Sequence, residues 1–251
     1  MIPKKIYQTH KSKEFVENNR TLNTCFKSWD VDGYEHIFYN DEEADVFMKN
    51  NFKDIYEVYK NMPLPVMKAD LWRYCIIYHF GGIYADMDTI LKKGTDLDAL
   101  FQKKSHLILT TEYPQDECLC QWVFAGPKGS VLLKEVIDEC VRRVRDCKDF
   151  KYEHMVHNLT GPAVFTEAIE SFLSRHGLIT YEGKNRKSYT YMYDNEIMYM
   201  LESHHLFNNH VKHVYSGQWE GGWITDVNEF TGIEHIEITL DKEGMPRRNE
   251  D

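Results

Sequence analysis

The chain has no excess of basic charge: 30 Lys and Arg stand against 40 Asp and Glu, a formal net charge of −10. It therefore lacks the electrostatic footprint of a nucleic-acid binder and has no attraction to an anionic membrane surface. No window approaches the roughly 18 consecutive apolar residues of a membrane span. The opening Met1-Ile2-Pro3-Lys4-Lys5-Ile6 holds no apolar core of the signal-peptide kind. These absences lead us to expect a cytoplasmic protein, in the host cytoplasm if the source is viral. The six cysteines, at 25, 75, 118, 120, 140 and 147, match no zinc spacing, because Cys118-Leu119-Cys120 is too tight for a C-x-x-C pair. A chain of 251 residues needs no staples, so reduced thiols are expected. Repeats, low-complexity tracts and interdomain linkers are also missing. The expectation is one domain over residues 1–251 with a polar tail at about 242–251.

What is present is an alternation of strand and helix patterns. A short strand opens at residues 5–8 and a helical pattern covers 13–29. After the Asp32-Gly33 turn comes a strand over 34–39, then a helix that Asn40-Asp41 caps. Residues 64–80 are apolar nearly all round and too long for a strand. Proline lies at the start and Gly81-Gly82 at the end, which predicts a buried helix. A strand is expected over 83–91, further strands near 107–109, 122–124 and 211–215, and helices over 131–144 and 163–173. This order is that of an α/β domain.

Three D-x-D triplets occur. Asp30-Val31-Asp32 sits in a turn, and Asp96-Leu97-Asp98 opens a helical run as a cap would. Asp86-Met87-Asp88 differs, because it follows the buried helix and falls within the expected strand. Alternation along a strand points both carboxylates to one face, and two such groups in apolar surroundings are costly without a cation. Magnesium or manganese suits them, held by carboxylates and by substrate phosphates. Asp70 and Arg73, three apart on the helix, share a face. They form a local ion pair, or Arg73 holds a phosphate while Asp70 grips a sugar hydroxyl.

The run Lys68-Ala69-Asp70-Leu71-Trp72-Arg73-Tyr74 followed by Gly81-Gly82-Ile83-Tyr84-Ala85-Asp86-Met87-Asp88 resembles the signature of glycosyltransferase family 32. That family includes initiating mannosyltransferases and capsular sugar transferases, and is distantly similar to clostridial toxin glucosyltransferase domains. The opening Ile2-Pro3-Lys4-Lys5-Ile6-Tyr7-Gln8-Thr9 and the closing His213-Val214-Tyr215-Ser216-Gly217-Gln218-Trp219 extend the resemblance over residues 1–220. Gln218 stands where the family usually has Ser. The resemblance implies a GT-A fold, a Rossmann-like nucleotide-sugar-binding α/β sheet with additional helices. It implies a metal-dependent transferase that moves a hexose with retention from a nucleotide sugar, a UDP-sugar ahead of GDP-mannose, to a glycan or other hydroxyl. It makes Asp86, Asp88 and His213 the ligands of Mn2+ or Mg2+, and Asp86 also a ribose contact. Gln8 and Thr9 fall near the nucleobase or ribose, and Gln121 near the donor sugar. Gly217 joins the donor contacts, Tyr84 flanks the donor, and Trp219 flanks it or fills the core.

No enzyme nucleophile is identifiable. Glu112, Asp116 and Glu117 are candidates by position, but same-face attack assisted by the departing phosphate needs none. Two other readings use the same residues, a metal-dependent hydrolase of nucleotide sugars or phosphoesters and a non-catalytic nucleotide-sugar-binding protein.

Overall fold

The structure is a computed structural model that describes residues 2–101, 107–112, 118–151, 154–176, 190–193 and 196–214. The first half holds β1 (Lys5–Thr9), α1 (Lys13–Asn18), α2 (Arg20–Ser28), β2 (Glu35–Tyr39), α3 (Asp41–Asn51), α4 (Lys53–Lys60), α5 (Pro65–Phe80), β3 (Gly82–Ala85), β4 (Thr89–Leu91) and α6 (Leu97–Phe101). The second holds β5 (Leu107–Thr110), β6 (Val123–Gly126), α7 (Val131–Asp146), α8 (Met155–Leu159), α9 (Pro162–Arg175), β7 (Thr190–Tyr193), β8 (Glu196–Leu201), α10 (Ser203–Asn209) and β9 (Val211–His213).

Side-chain caps set several boundaries. Asn40 and Glu43 form a reciprocal capping box at the start of α3. Asn19 ends α1 and caps α2 by accepting from Leu22 N–H at 3.0 Å, so the helical pattern over 13–29 is two helices, not one. Pro65 takes the first turn of α5, and Gly81 ends it at φ 71°. A side chain at Gly81 would meet the Lys128 backbone nitrogen at 2.7 Å and Pro3 Cδ at 2.8 Å. Glycine is therefore required there twice over, for its φ and for its lack of Cβ.

Seven strands form one sheet in the order β2-β1-β3-β6-β5-β8-β7, and β4 pairs with β9 in a separate ribbon. Strands β2, β1 and β3 run parallel, β6 is antiparallel to both its neighbours, and β5 runs parallel to β8. Successive residues feed opposite cores, as the pleat requires. Tyr7, Tyr84, Phe124 and Leu107 join the core that includes the buried residues of α5, α7 and α9. Ile6, Ile83, Ala125 and Ile108 join a second core with Trp29, Leu97 and Leu206. The α/β class expected from the residues is thus observed, and Asp86 follows the carboxyl end of a parallel strand, where the GT-A expectation had it. All six cysteines are free thiols.

Candidate active site

The expected strand over 83–91 is not continuous. It breaks after Ala85 into a turn and resumes as β4. Strand alternation therefore does not bring Asp86 and Asp88 together; the turn does. Asp86 N–H donates to the Trp122 carbonyl at 2.8 Å, extending the β3–β6 ladder by one residue. The Asp86 carbonyl then accepts three donors, the Thr89 N–H (3.1 Å), the Thr89 hydroxyl (2.6 Å) and Gln8 Nε2 (3.1 Å). Trp29 Nε1 donates to the Thr89 hydroxyl oxygen at 3.1 Å and braces the turn from α2's C-terminal end. Held this way, the turn exposes both carboxylates to one side.

His213 arrives by strand pairing. β9 lies antiparallel to β4 with His213 opposite Thr89, and Val214 N–H donates to the Asp88 carbonyl at 2.8 Å. The His213 Nε2 stands 3.4 Å from Asp88 Oδ1, and the Trp122 ring packs edge-on against its imidazole at 4.8 Å. One ligand atom from each of Asp86, Asp88 and His213 lies within 4.8 Å of the other two. Two carboxylates and one imidazole fit a divalent cation that accepts mixed oxygen and nitrogen donors.

The second half of the site is carried by α5. Arg73 Nη2 lies 3.0 Å from Asp70 Oδ1, and Nη1 lies 3.2 Å from Asp86 Oδ1. Its guanidinium also covers the Tyr84 ring, 4.8 Å from the centroid, and the Tyr84 hydroxyl donates to Asp86 Oδ1 at 2.5 Å. Asp70 is 1% exposed and Arg73 5%. Asp70 accepts further from Gln121 Nε2 (3.2 Å) and from the Thr160 hydroxyl (2.9 Å), and Tyr74 donates to the Thr160 carbonyl (2.9 Å). Of the two bottom-up readings of this pair, the ion pair is present, and it bridges to the D-x-D turn.

Burial without enough positive charge shows in the protonation equilibria. Burial raises Asp70 to about 6 against the pull of Arg73, Thr160 and Gln121. Burial likewise raises Asp86, opposed first by Arg73. Burial works against the Arg73 charge too, but Asp86, Tyr84 and Asp70 outweigh it and hold the guanidinium charged. Burial and then Asp86 lift Glu112 to about 7. His10 is pushed down to about 4, by burial first and then by Lys11, so its imidazole is neutral at physiological pH.

These groups line one cleft of about 220 Å³. Thr9, Asp70, Arg73, Tyr84, Asp86, Asp88, Gln121 and His213 all face it. Gln8 does not: it is fully buried, and its side-chain oxygen meets the His36 imidazole (2.9 Å), which reaches Asp30 (2.7 Å). Its place beside the nucleobase is corrected to a prop behind Asp86. Gly217 and Trp219 lie outside the described residues, as do Asp116 and Glu117. The third D-x-D triplet is engaged away from the cleft. Asp96 accepts from Ala99 N–H at 3.0 Å, and Asp98 is held by Lys4 and Tyr34, both at 2.6 Å.

Sequence reasoning missed three contributors. Thr160 and Tyr74 complete the Asp70 network from distant segments. His10 faces the cleft, stacks on Phe15 at 5.1 Å and leaves Nδ1 buried without a partner among the described residues.

The profile described as glycosyltransferase sugar-binding region containing DXD motif matches residues 13–106. An initiation-specific alpha-1,6-mannosyltransferase of Schizosaccharomyces pombe is 31% identical over 196 residues, covering 69% of this chain and 49% of that protein. Inositol phosphoceramide mannosyltransferase 1 of the same organism is 32% identical over 140 residues, covering 54% of this chain and 42% of its own length. The chain thus spans about half the length of these curated relatives. Among solved structures, the PaToxG glycosyltransferase is similar at 20% identity with a TM-score of 0.48, covering 69% of this chain and 70% of its own.

Proposed function

We propose that the chain belongs to the DXD-containing glycosyltransferases, whose sugar-binding-region profile matches residues 13–106, and that it transfers a hexose from a nucleoside-diphosphate sugar to a hydroxyl acceptor. Asp86, Asp88 and His213 would hold a divalent cation, Mn2+ or Mg2+. The observation that carries this is the convergence of those three ligands within 4.8 Å, beside a buried arginine that is anchored to Asp70 and Asp86. Mannose is the leading hexose, because the relatives are named mannosyltransferases. Those names lend no support to the UDP preference.

The cation, when bound, supplies charge for the diphosphate leaving group. The chain's own residues then have distinct tasks. Arg73 is aimed by Asp70 and Asp86 and adds fixed positive charge next to the ligands, where charge develops on the leaving oxygen. The Tyr84 hydroxyl fixes the Asp86 carboxylate by donating to Oδ1, which leaves Oδ2 for a ligand. Asp70 uses Oδ1 for Arg73 and Gln121 and one lone pair of Oδ2 for Thr160. It keeps a second lone pair on Oδ2 for a sugar hydroxyl.

Retention follows from attack on the face that the diphosphate leaves. Glu112, the one positional candidate for a nucleophile within the described residues, is held at about 7. A carboxyl half-protonated at neutral pH suits hydrogen bonding to an acceptor hydroxyl better than displacement.

The test is release of nucleotide from GDP-mannose, UDP-glucose, UDP-galactose and UDP-N-acetylglucosamine, with Mn2+ or chelator. Metal-dependent release from one donor, lost in Asp88→Ala and partitioned toward product by hydroxyl acceptors, is the expected result. Fast release that no acceptor diverts indicates a hydrolase and refutes transfer, and the absence of turnover and of binding with every donor refutes the reading as a whole.

A further inference from the structure

Behind the D-x-D turn a chain of polar groups runs out to the surface. Gln8 of β1 and His36 of β2 lie on one face of the sheet as diagonal neighbours, since Ile6 pairs with His36 and Gln8 with Phe38. Gln8 is fully buried and the His36 side chain is 6% exposed, while Asp30 at the outer end is 59% exposed. Three junctions join them. Asp30 Oδ1 meets His36 Nδ1 at 2.7 Å, His36 Nε2 meets Gln8 Oε1 at 2.9 Å, and Gln8 Nε2 meets the Asp86 carbonyl at 3.1 Å.

Each junction needs one proton, so the chain needs three. Its two ends, the Asp30 carboxylate and the Asp86 carbonyl, are acceptors only. The Gln8 amide presents one donor end and one acceptor end, so it supplies a proton to a single junction. A neutral imidazole carries one N–H and supplies one more. With that proton on Nδ1, Nε2 sets a lone pair against Gln8 Oε1. With it on Nε2, Nδ1 sets a lone pair against the Asp30 carboxylate. Turning the amide over moves the conflict to the Asp86 carbonyl without removing it. A ring protonated on both nitrogens supplies the third proton and satisfies every junction. The missing bond matters at this depth, because Gln8 is out of reach of solvent that could replace it.

We infer that His36 is a positioning residue for the D-x-D turn: its imidazolium completes the relay from Asp30 through Gln8 to the Asp86 carbonyl, and its neutral form leaves the relay one proton short. Burial disfavours the charged ring, Asp30 opposes burial, and Lys13 of α1 adds to it, which leaves the imidazole below the ordinary histidine range. Phe26 of α2 packs against the ring with centroids 4.4 Å apart and brings no charge. The relay is therefore complete in mild acid and incomplete at neutral pH and above. The inference rests on the cation reading above, because the turn that the relay steadies carries Asp86.

Mn2+ binding to the full chain, read by electron paramagnetic resonance from pH 5 to pH 8, tests it with two variants. Asp30→Asn puts an amide donor opposite Nδ1, so that a neutral His36 completes the relay from Nε2. This variant should bind Mn2+ about 5-fold tighter than the parent at pH 8, the worth of roughly one hydrogen bond, with the gap closing towards pH 5. Loss of a negative charge by itself works against cation binding, so electrostatics alone gives the opposite sign. His36→Phe keeps a ring against Phe26 and removes both protons. It should bind about 5-fold weaker than the parent at pH 5 and within about 2-fold of it at pH 8. Taking ratios to the parent at each pH cancels the proton competition at Asp86, Asp88 and His213 that all three proteins share. Asp30 is largely exposed, so Asp30→Asn decides the matter even where His36→Phe disturbs the fold. An Asp30→Asn protein no tighter than the parent at pH 8, or a His36→Phe penalty equal at every pH, overturns the relay and leaves the cation reading standing. If Mn2+ binds none of the three proteins at any pH, the cation reading fails and the positioning role falls with it.

Discussion

Arg73→Met is the sharpest probe of the site. The methionine keeps much of the side-chain volume but removes the guanidinium. Asp70 then loses its 3.0 Å partner, Asp86 its 3.2 Å partner, and the Tyr84 ring its cation. Asp70 is 1% exposed, so water cannot replace what is lost. Breaking a buried pair by deleting one member costs about 3–5 kcal/mol. For a chain of this size that is a fall in melting temperature of roughly 6–20 °C, at about 2–4 °C per kcal/mol. Adding Asp70→Asn removes the stranded charge and keeps the shape, so the double variant should regain about 1–3 kcal/mol over the sum of the single effects. Differential scanning fluorimetry without added metal or nucleotide checks both expected values. An Arg73→Met protein that melts within about 2 °C of the parent, or a double variant that is strictly additive, refutes the argument that these charges are buried and coupled.

Gly81→Ala should destabilise by at least about 2 kcal/mol, because φ is +71° and the new Cβ meets backbone at 2.7 Å; circular-dichroism melting reads it. His10→Phe tests a pH effect. With the folded-state pKa at about 4 against 6.5 unfolded, the unfolded chain binds the extra proton between those values, so stability falls as pH drops through this window. The loss amounts to about 3 kcal/mol once pH is below 4, and the variant should lack it in a comparison of melting curves from pH 7 to 4. Gln8→Leu removes the donor to the Asp86 carbonyl from behind the site; half-saturation by Mn2+ in the nucleotide-release assay should rise by about 10–100-fold with the fold intact.

Why some of this was legible in the residues and some was not follows from the range of the interactions. The helix over 64–80 declared itself because every cue is local: proline at its start, apolar residues on all sides and a glycine that no other residue can replace at its end. The cap at Asn40 was equally local. The break at Asp86 was not, since Asp86-Met87-Asp88 contains neither glycine nor proline. That turn is enforced by Gln8, Trp29 and Trp122, which come from elements far away in sequence. Gln8 misled for a related reason. The resemblance put Gln8 beside the nucleobase or ribose, whereas its neighbours, His36 and the Asp86 carbonyl, use both ends of the amide. Thr160 and Asp70 are 90 positions apart and meet because α8 folds back against α5.

The charges of the site argue for its cation more strongly than the motif does. Asp70, Asp86 and Asp88 carry three negative charges against the single positive charge of Arg73, which leaves an excess of two. Such an excess in a cleft this buried can be relieved by protons or by a divalent ion. The proton route is visible in Asp70, raised by burial to about 6, and in Asp86, raised for the same cause. It is the poorer route, because a protonated carboxyl gives up the ion pairs that hold Arg73 in place. A divalent ion on Asp86, Asp88 and His213 cancels the excess and leaves Asp70 free to keep Arg73. It also leaves the ion with little net charge to spare within the protein, so its attraction for ligands depends on open coordination positions, which diphosphate oxygens fill well. The three protein ligands supply fewer than the six positions a Mg2+-like ion prefers. On the proposed reading, a site that would neutralise itself with a divalent ion and still need oxygen ligands would hold the donor only when both are present.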